Sequence, residues 1–159
     1  MRLFIAAFTC LLSSVMYGQG QGVIDTLDYS MYPNQARSEI MSVKADFKNT
    51  DNPFVAIYLG SELHDYFYFP FQGLEGTYYD FAYSNNSLGD IPFGEDDGLL
   101  EYDDDGNTLE NTSEGAKLVG RKFLITWEYE LSYIVCCDGQ TTSYPAFLPR
   151  ISHIEYDTK

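Results

Sequence analysis

Basic residues are scarce in this chain. Its 159 residues hold 9 Lys and Arg against 24 Asp and Glu, a net charge of −15. Nucleic acid and anionic lipid are held through Lys and Arg that neutralise phosphates, so a surface this acidic repels both and nucleic-acid binding is excluded. Cysteine is rarer still, at Cys10, Cys136 and Cys137. Adjacent cysteines seldom bridge, because a disulfide usually separates Cα atoms by ~4.4–6.8 Å while a trans peptide holds neighbours at ~3.8 Å. Two reduced thiols at a strand end, a strained vicinal ring and a bridge between chains all stay open for Cys136 and Cys137. Without zinc-type spacing no metal centre is indicated, and no cofactor is expected. His64 and His153 are the only histidines. The chain also lacks a G-x-S-x-G elbow, an H-E-x-x-H helix and a glycine-rich phosphate loop, so no named reaction follows from a motif.

Long apolar runs are missing too, apart from one at the start. Arg2 precedes Leu3 to Leu12, and the small residues Ser13, Ser14, Gly18 and Gly20 follow. That order predicts a cleavable signal peptide over 1–18, with cleavage near Gly18 to Gly20. The run is about half the ~20 residues that a membrane-spanning helix needs. Cys10 lies inside it rather than at its end, which argues against a lipid anchor. Residues 19–159 then read as one domain, secreted or periplasmic/envelope, soluble after cleavage and without a membrane span.

What the chain has in quantity is aromatic residues, 14 Tyr and 11 Phe, on alternating patterns. Residues 19–35 read as an extended lead-in, with at most a short helical turn over Gln35 to Ile40. Met41, Val43, Ala45 and Phe47 alternate with polar residues and predict a half-buried strand. Phe54 to Leu59, Tyr66 to Phe71 and Thr77 to Tyr83 predict three more. From Phe123 through Ile125, Trp127, Tyr129, Leu131, Tyr133 and Val135, one parity is apolar throughout. A strand that long would run ~46 Å and has to bend. Asp138-Gly139 signals a hairpin turn, and Arg150 to Tyr156 a closing strand. Between these lies an irregular acidic insertion, Ser84 to Gly115.

The fold class expected is therefore all-β, a small single-domain barrel or β-sandwich of about 5–7 strands. Val119-Gly120-Arg121-Lys122-Phe123-Leu124-Ile125-Thr126-Trp127, after three strands and before a short closing one, resembles the fourth strand of small exported OB-like barrels. That resemblance implies a barrel that binds oligonucleotides or oligosaccharides, and this chain lacks the basic groove the first of these requires. The main structural rival is the sandwich.

Three functions fit such a chain. The first is a non-catalytic binding or interaction module outside the cytoplasm. Tyr58, Tyr66, Tyr68, Tyr78, Tyr79 and Tyr83 would form its aromatic contact face for a protein or glycan ligand. The second is a calcium-stabilised structural domain. Gly94 to Gly115 holds nine acids and no base, and Asp103, Asp105 and Asn107 fit part of an EF-hand loop. Position one of that loop would be Glu101 and position twelve Thr112, where a bidentate Glu is needed, so tight calcium binding is not expected. The third is a small hydrolase, for which Ser61, His64 and Asp65 supply the residue types of a triad without a spacing that fixes it.

Overall fold

A computed structural model describes residues 25–63, 67–82, 85–94, 97–98, 101–102, 108–109, 113–135 and 142–158. The predicted signal peptide, Cys136 and Cys137, and the turn expected at Asp138-Gly139 lie outside them. A 3-10 turn at Tyr29–Met31 leads into a helix, α1, Asn34–Phe47. Five strands follow: β1 Phe54–Tyr58, β2 Pro70–Gly73, β3 Tyr78–Asp80, β4 Lys122–Val135 and β5 Ser143–Tyr156. They form one antiparallel sheet in the order β3-β2-β1-β4-β5. Two short ribbons stand apart from it, Glu62–Leu63 with Phe67–Tyr68 and Glu101–Tyr102 with Thr108–Leu109.

The chain is thus mostly β, as the alternation predicts. The sheet is open, with β3 and β5 at its edges, so it is not the closed OB-like barrel expected. Nor does a second large sheet cover it among the described residues. Its inner face is covered instead by α1 at one end and by the acidic insertion at the other. Phe47 of α1 packs edge-on against Tyr79, Phe81 and Trp127. Phe93 of the insertion packs on Tyr58, Phe69 and Phe123.

The helix corrects the expected strand at Met41 to Phe47 and shortens the extended lead-in. Period two and period 3.6 both fit part of this segment, and burial decides between them. Ala36, Ile40 and Phe47 are buried, and Val43 packs against the core between them. These are i, i+4, i+7 and i+11 positions, one helical stripe. Neither Gly nor Pro interrupts Asn34–Phe47. Asn49 to Pro53 then stops the helix, with Thr50 N–H donating to the Phe47 carbonyl (3.2 Å) and Thr50 Oγ1 to that of Asp46 (2.9 Å).

β4 and β5 pair along their whole lengths. The long alternating run predicts β4, whereas β5 begins at Ser143 and passes through Pro145 and Pro149, ahead of the short closing strand expected at Arg150 to Tyr156. The buried parity changes partway. Phe123, Ile125 and Trp127 face inward; further on Ile134 is buried, while Leu131 is 49% exposed, Tyr133 55% and Val135 45%. Leu131 is therefore not the core residue its parity predicts. In the paired stretch of β5 the burial alternation breaks as well, since the adjacent Leu148 and Pro149 are both buried. One register shift lies earlier, where Thr126 pairs with His153 but Trp127 with Ile151, leaving Ser152 as an extra residue in β5. Such bulges increase local twist.

β5 is an edge strand of 14 residues. A bare edge of that length is a template for pairing with another chain. Here several of its outward groups between Pro145 and Ile151 are taken. Pro145 and Pro149 have no N–H to offer. The Tyr32 hydroxyl donates to the Pro145 carbonyl (2.7 Å), and Phe147 N–H donates to the Tyr29 hydroxyl (3.2 Å). Ile151 N–H donates to Asn86 Oδ1 (2.8 Å), and its carbonyl accepts from Ser87 N–H (2.8 Å).

The parity change is testable by chemical denaturation. Ile134→Ala is expected to cost about 2–5 kcal/mol, as large-to-small core changes do. Leu131→Ala, only three residues away, is expected to stay within ~0.5 kcal/mol. Equal costs at the two positions would show that the inward parity runs unbroken to the end of β4.

Candidate functional site

Two constructions position the polar surface of the molecule. The first anchors the acidic insertion to the sheet. Asp97 is 4% exposed and Ser61 is fully buried, beneath the buried ring of Tyr58. Asp97 Oδ2 accepts from Gly94 N–H (2.6 Å), and Oδ1 accepts from Ser113 Oγ (3.0 Å). The Tyr58 hydroxyl lies 3.1 Å from Asp97 Oδ2 and 2.9 Å from Ser61 Oγ. Ser61 Oγ in turn donates to the Gly94 carbonyl, and Gly98 N–H to the Ser61 carbonyl (3.0 Å). Burial pushes the Tyr58 hydroxyl pKa far above its ordinary range, so it stays protonated. Two close approaches require glycine here. A Cβ on Gly60, whose φ is +98°, would lie 2.4 Å from Gly98 Cα, and one on Gly115 1.9 Å from Asp97 Oδ2. This cluster is closed to solvent and satisfied, so it holds the loop and offers nothing to a ligand.

The second construction is a cleft of about 730 Å³ beside the C-terminal turn of α1. Its walls are Ala45, Asp46 and Asn49 to Asp51, the start of β1 at Pro53 to Val55, Leu74, Glu75 and Thr77 of the β2–β3 turn, and Leu124. Asp46, Asp51 and Glu75 line it together with Asn49, Thr50, Thr77 and the ring of Tyr79, and none of the lining residues is basic. The Tyr79 hydroxyl donates to Glu75 Oε1 (2.9 Å) and lies 3.1 Å from Thr50 Oγ1, which ties the two rims together. Burial raises the Asp46 carboxyl pKa. Glu75 is held low instead by its own backbone N–H and by Tyr79. The cleft therefore joins carboxylates of uneven hydration to an apolar, aromatic floor. Carboxylates and hydroxyls are acceptors for ammonium and guanidinium donors.

Of the tyrosines singled out from sequence, the four that are described do not share one surface. Tyr58 and Tyr79 belong to the core, with only the Tyr79 hydroxyl edge reaching the cleft. Tyr78 is exposed and Tyr68 half-buried on the other side of the β2–β3 hairpin. Tyr66 and Tyr83 lie outside the described residues, as do Asp103, Asp105, Asn107 and His64. Among the described residues no group of three or more His, Cys, Asp or Glu is placed to hold a metal. Ser61 is buried under Tyr58, and exposed His153 sits 3.8 Å from Glu155 on the edge strand. Alternation alone could not single out Asp97 or the cleft. Asp97 is one acid among nine between Gly94 and Gly115, and the cleft joins four separate segments of the chain.

One further carboxylate is unusual. Asp80 on β3 accepts Phe69 N–H (3.0 Å), yet burial pushes its carboxyl up to about 6 against the pull of the Phe69, Ala82 and Phe81 amides. Burial and the Asp80 charge likewise push the nearby Tyr78 hydroxyl up to about 12.

No helix among the described residues is long and apolar enough to cross a membrane. Compared with known proteins, the chain matches no family model, no curated protein and no solved structure.

Asp80 carries a pH prediction. Its folded pKa lies above the ordinary 3.8, so the folded state holds its proton more tightly than the unfolded chain does. The stability it contributes is present below about pH 4 and is lost as pH rises through about 6. Asp80→Asn is expected to stabilise the protein near neutral pH by up to about 3 kcal/mol and to be neutral below pH ~4. Melting curves across this range check it, and a loss of stability at neutral pH would contradict the assignment.

Proposed function

We propose that this chain is a non-catalytic binding module outside the cytoplasm, and that the acidic cleft at the end of α1 receives a basic segment of a partner protein. The observation that carries this reading is the lining of the cleft. Three carboxylates, an amide and two threonines converge on a concave surface floored by Tyr79 and Phe54, without a cation of their own. Cations are favoured there by charge, and their alkyl stems by the apolar floor. The C-terminal end of α1 adds its partial negative charge in the same place. The predicted signal peptide supports an extracytoplasmic role. The mean charge of the chain favours the same class of partner and speeds its encounter.

The aromatic-face reading of the sequence survives here in reduced form, with Tyr79 as a wall rather than six tyrosines as a platform. The anchored insertion supports a structural role for Asp97.

Because the whole molecule attracts cations, the test has to separate the cleft from the general field. Hexalysine titrated by calorimetry at physiological salt, where charges are screened over ~8 Å, is the probe. Asp46→Asn with Glu75→Gln is expected to weaken binding about three- to tenfold, the worth of one or two partly exposed ion pairs. Asp90→Asn with Glu114→Gln makes the same change in net charge on residues that do not line the cleft and is expected to alter binding less than about twofold. Equal weakening by the two double variants would mean diffuse attraction and no site.

A further inference from the structure

The opposite flank of the same helix turn is built differently. Met41, Lys44, Ala45 and Lys48 occupy i, i+3, i+4 and i+7 positions, one stripe of α1. With Phe47, Trp127 and Tyr129 they line a shallow groove of about 500 Å³ between the helix and β4. Its floor is aromatic. Trp127 and Tyr129 meet edge to face with centroids 5.3 Å apart. The indole N–H is already spent on the Asp51 carbonyl (3.1 Å), so the groove meets the apolar side of the ring. Met41 is exposed at the rim.

Its charge is the reverse of the rest of the molecule. Two of the chain's few cations stand at this groove. Lys44 lies over the rings of Tyr29 (4.6 Å) and Tyr129 (5.9 Å) and is paired with the Asp25 carboxylate. Lys48 has no ion pair among the described residues. With Lys44 matched by Asp25, the Lys48 ammonium is the charge that offsets the roughly −0.5 at the helix C-terminus. The neighbouring Asp25 shows, within the chain itself, that a carboxylate is accepted at this rim.

From this geometry we infer a second binding site, independent of the acidic cleft, for a small amphipathic carboxylate. Its apolar tail lies along Met41, Trp127 and Tyr129, and its acid group faces Lys48. An unpaired ammonium beside an apolar floor, on a surface that otherwise repels anions, selects that combination of charge and tail. A purely apolar ligand would leave the ammonium unused. An anion without a tail would meet the repulsion of the whole molecule with a single contact to set against it.

Trp127 is the only tryptophan in the chain, so its emission reports on the groove directly. The probes are sodium octanoate and 1-octanol, which share a tail and differ in charge. Octanoate is expected to change Trp127 emission saturably and to bind more tightly than octanol. Lys48→Gln is expected to weaken octanoate about threefold and Lys48→Glu about tenfold, with octanol unaffected by either. Lys117→Gln, a remote exposed lysine, is expected to change neither. Melting curves confirm that each variant is folded, and Lys48→Gln alone suffices should the charge reversal disturb the helix end. The proposal is overturned by a Trp127 response that does not saturate, by equal responses to octanoate and octanol, or by octanoate binding that Lys48→Gln leaves unchanged.

Discussion

The long hairpin of β4 and β5 leaves one strand of 14 residues at the edge of an open sheet, and the satisfaction of that edge organises the rest of the molecule. Buried or half-buried backbone donors and acceptors must find partners. Along β5 several find them in three side chains and one backbone N–H from two distant segments. Tyr29 and Tyr32, before the helix, bond at Phe147 and Pro145. Asn86 and Ser87, after β3, bond at Ile151. Two prolines remove the donors that would otherwise lie between these points. Edges protected in this way do not recruit further strands.

Closing the edge also places the helix. The chain that carries Tyr29 and Tyr32 against β5 enters α1 directly, so Ala36 and Ile40 must fall on Ile134, Ala146 and Leu148, and Phe47 on the Trp127 end of the sheet. The inward surface of β4 has to follow. Its buried parity changes between Trp127, which packs on Phe47, and Ile134, which packs in the cluster with Ala36 and Ile40. The helix end then stands proud of β1 and β4, with a cleft on one flank and a groove on the other. Asp46 and Asp51 charge the first negative, and Lys44 and Lys48 charge the second positive. The insertion does for the other half of the sheet what α1 does for this one. Phe93 fills the space over Tyr58 and Phe123, and Asp97 fixes the loop that carries it.

Much of the sheet is legible in the sequence, because alternation is a direct consequence of a pleated strand with one buried face. It identifies β1, β2, β3, the first half of β4, and the Asp138-Gly139 signal behind the β4–β5 pairing. It fails where two periods coincide. Met41, Val43, Ala45 and Phe47 alternate, and Ala36, Ile40, Val43 and Phe47 also mark a helical stripe. Only the contacts with β5 decide between these readings. It fails again at Leu131, since the change of buried parity has no residue-level signature there. The site is less legible than the fold. Aromatic residues in strands read equally well as a platform or as a core, and burial assigned Tyr58 and Tyr79 to the core. The cleft and the groove depend on which turns meet around one end of α1. That is a long-range property that composition hints at through charge alone.

The central claim, that side chains from the lead-in and the β3 loop close the β5 edge, is tested most directly by amide hydrogen exchange at Phe147 and Ile151. Their N–H groups face away from β4, so without Tyr29 and Asn86 they would exchange as open edge amides do. The account predicts slow exchange at both in the native protein, with Tyr29→Phe releasing Phe147 alone and Asn86→Ala releasing Ile151 alone. Fast exchange at both sites in the unaltered protein would contradict it.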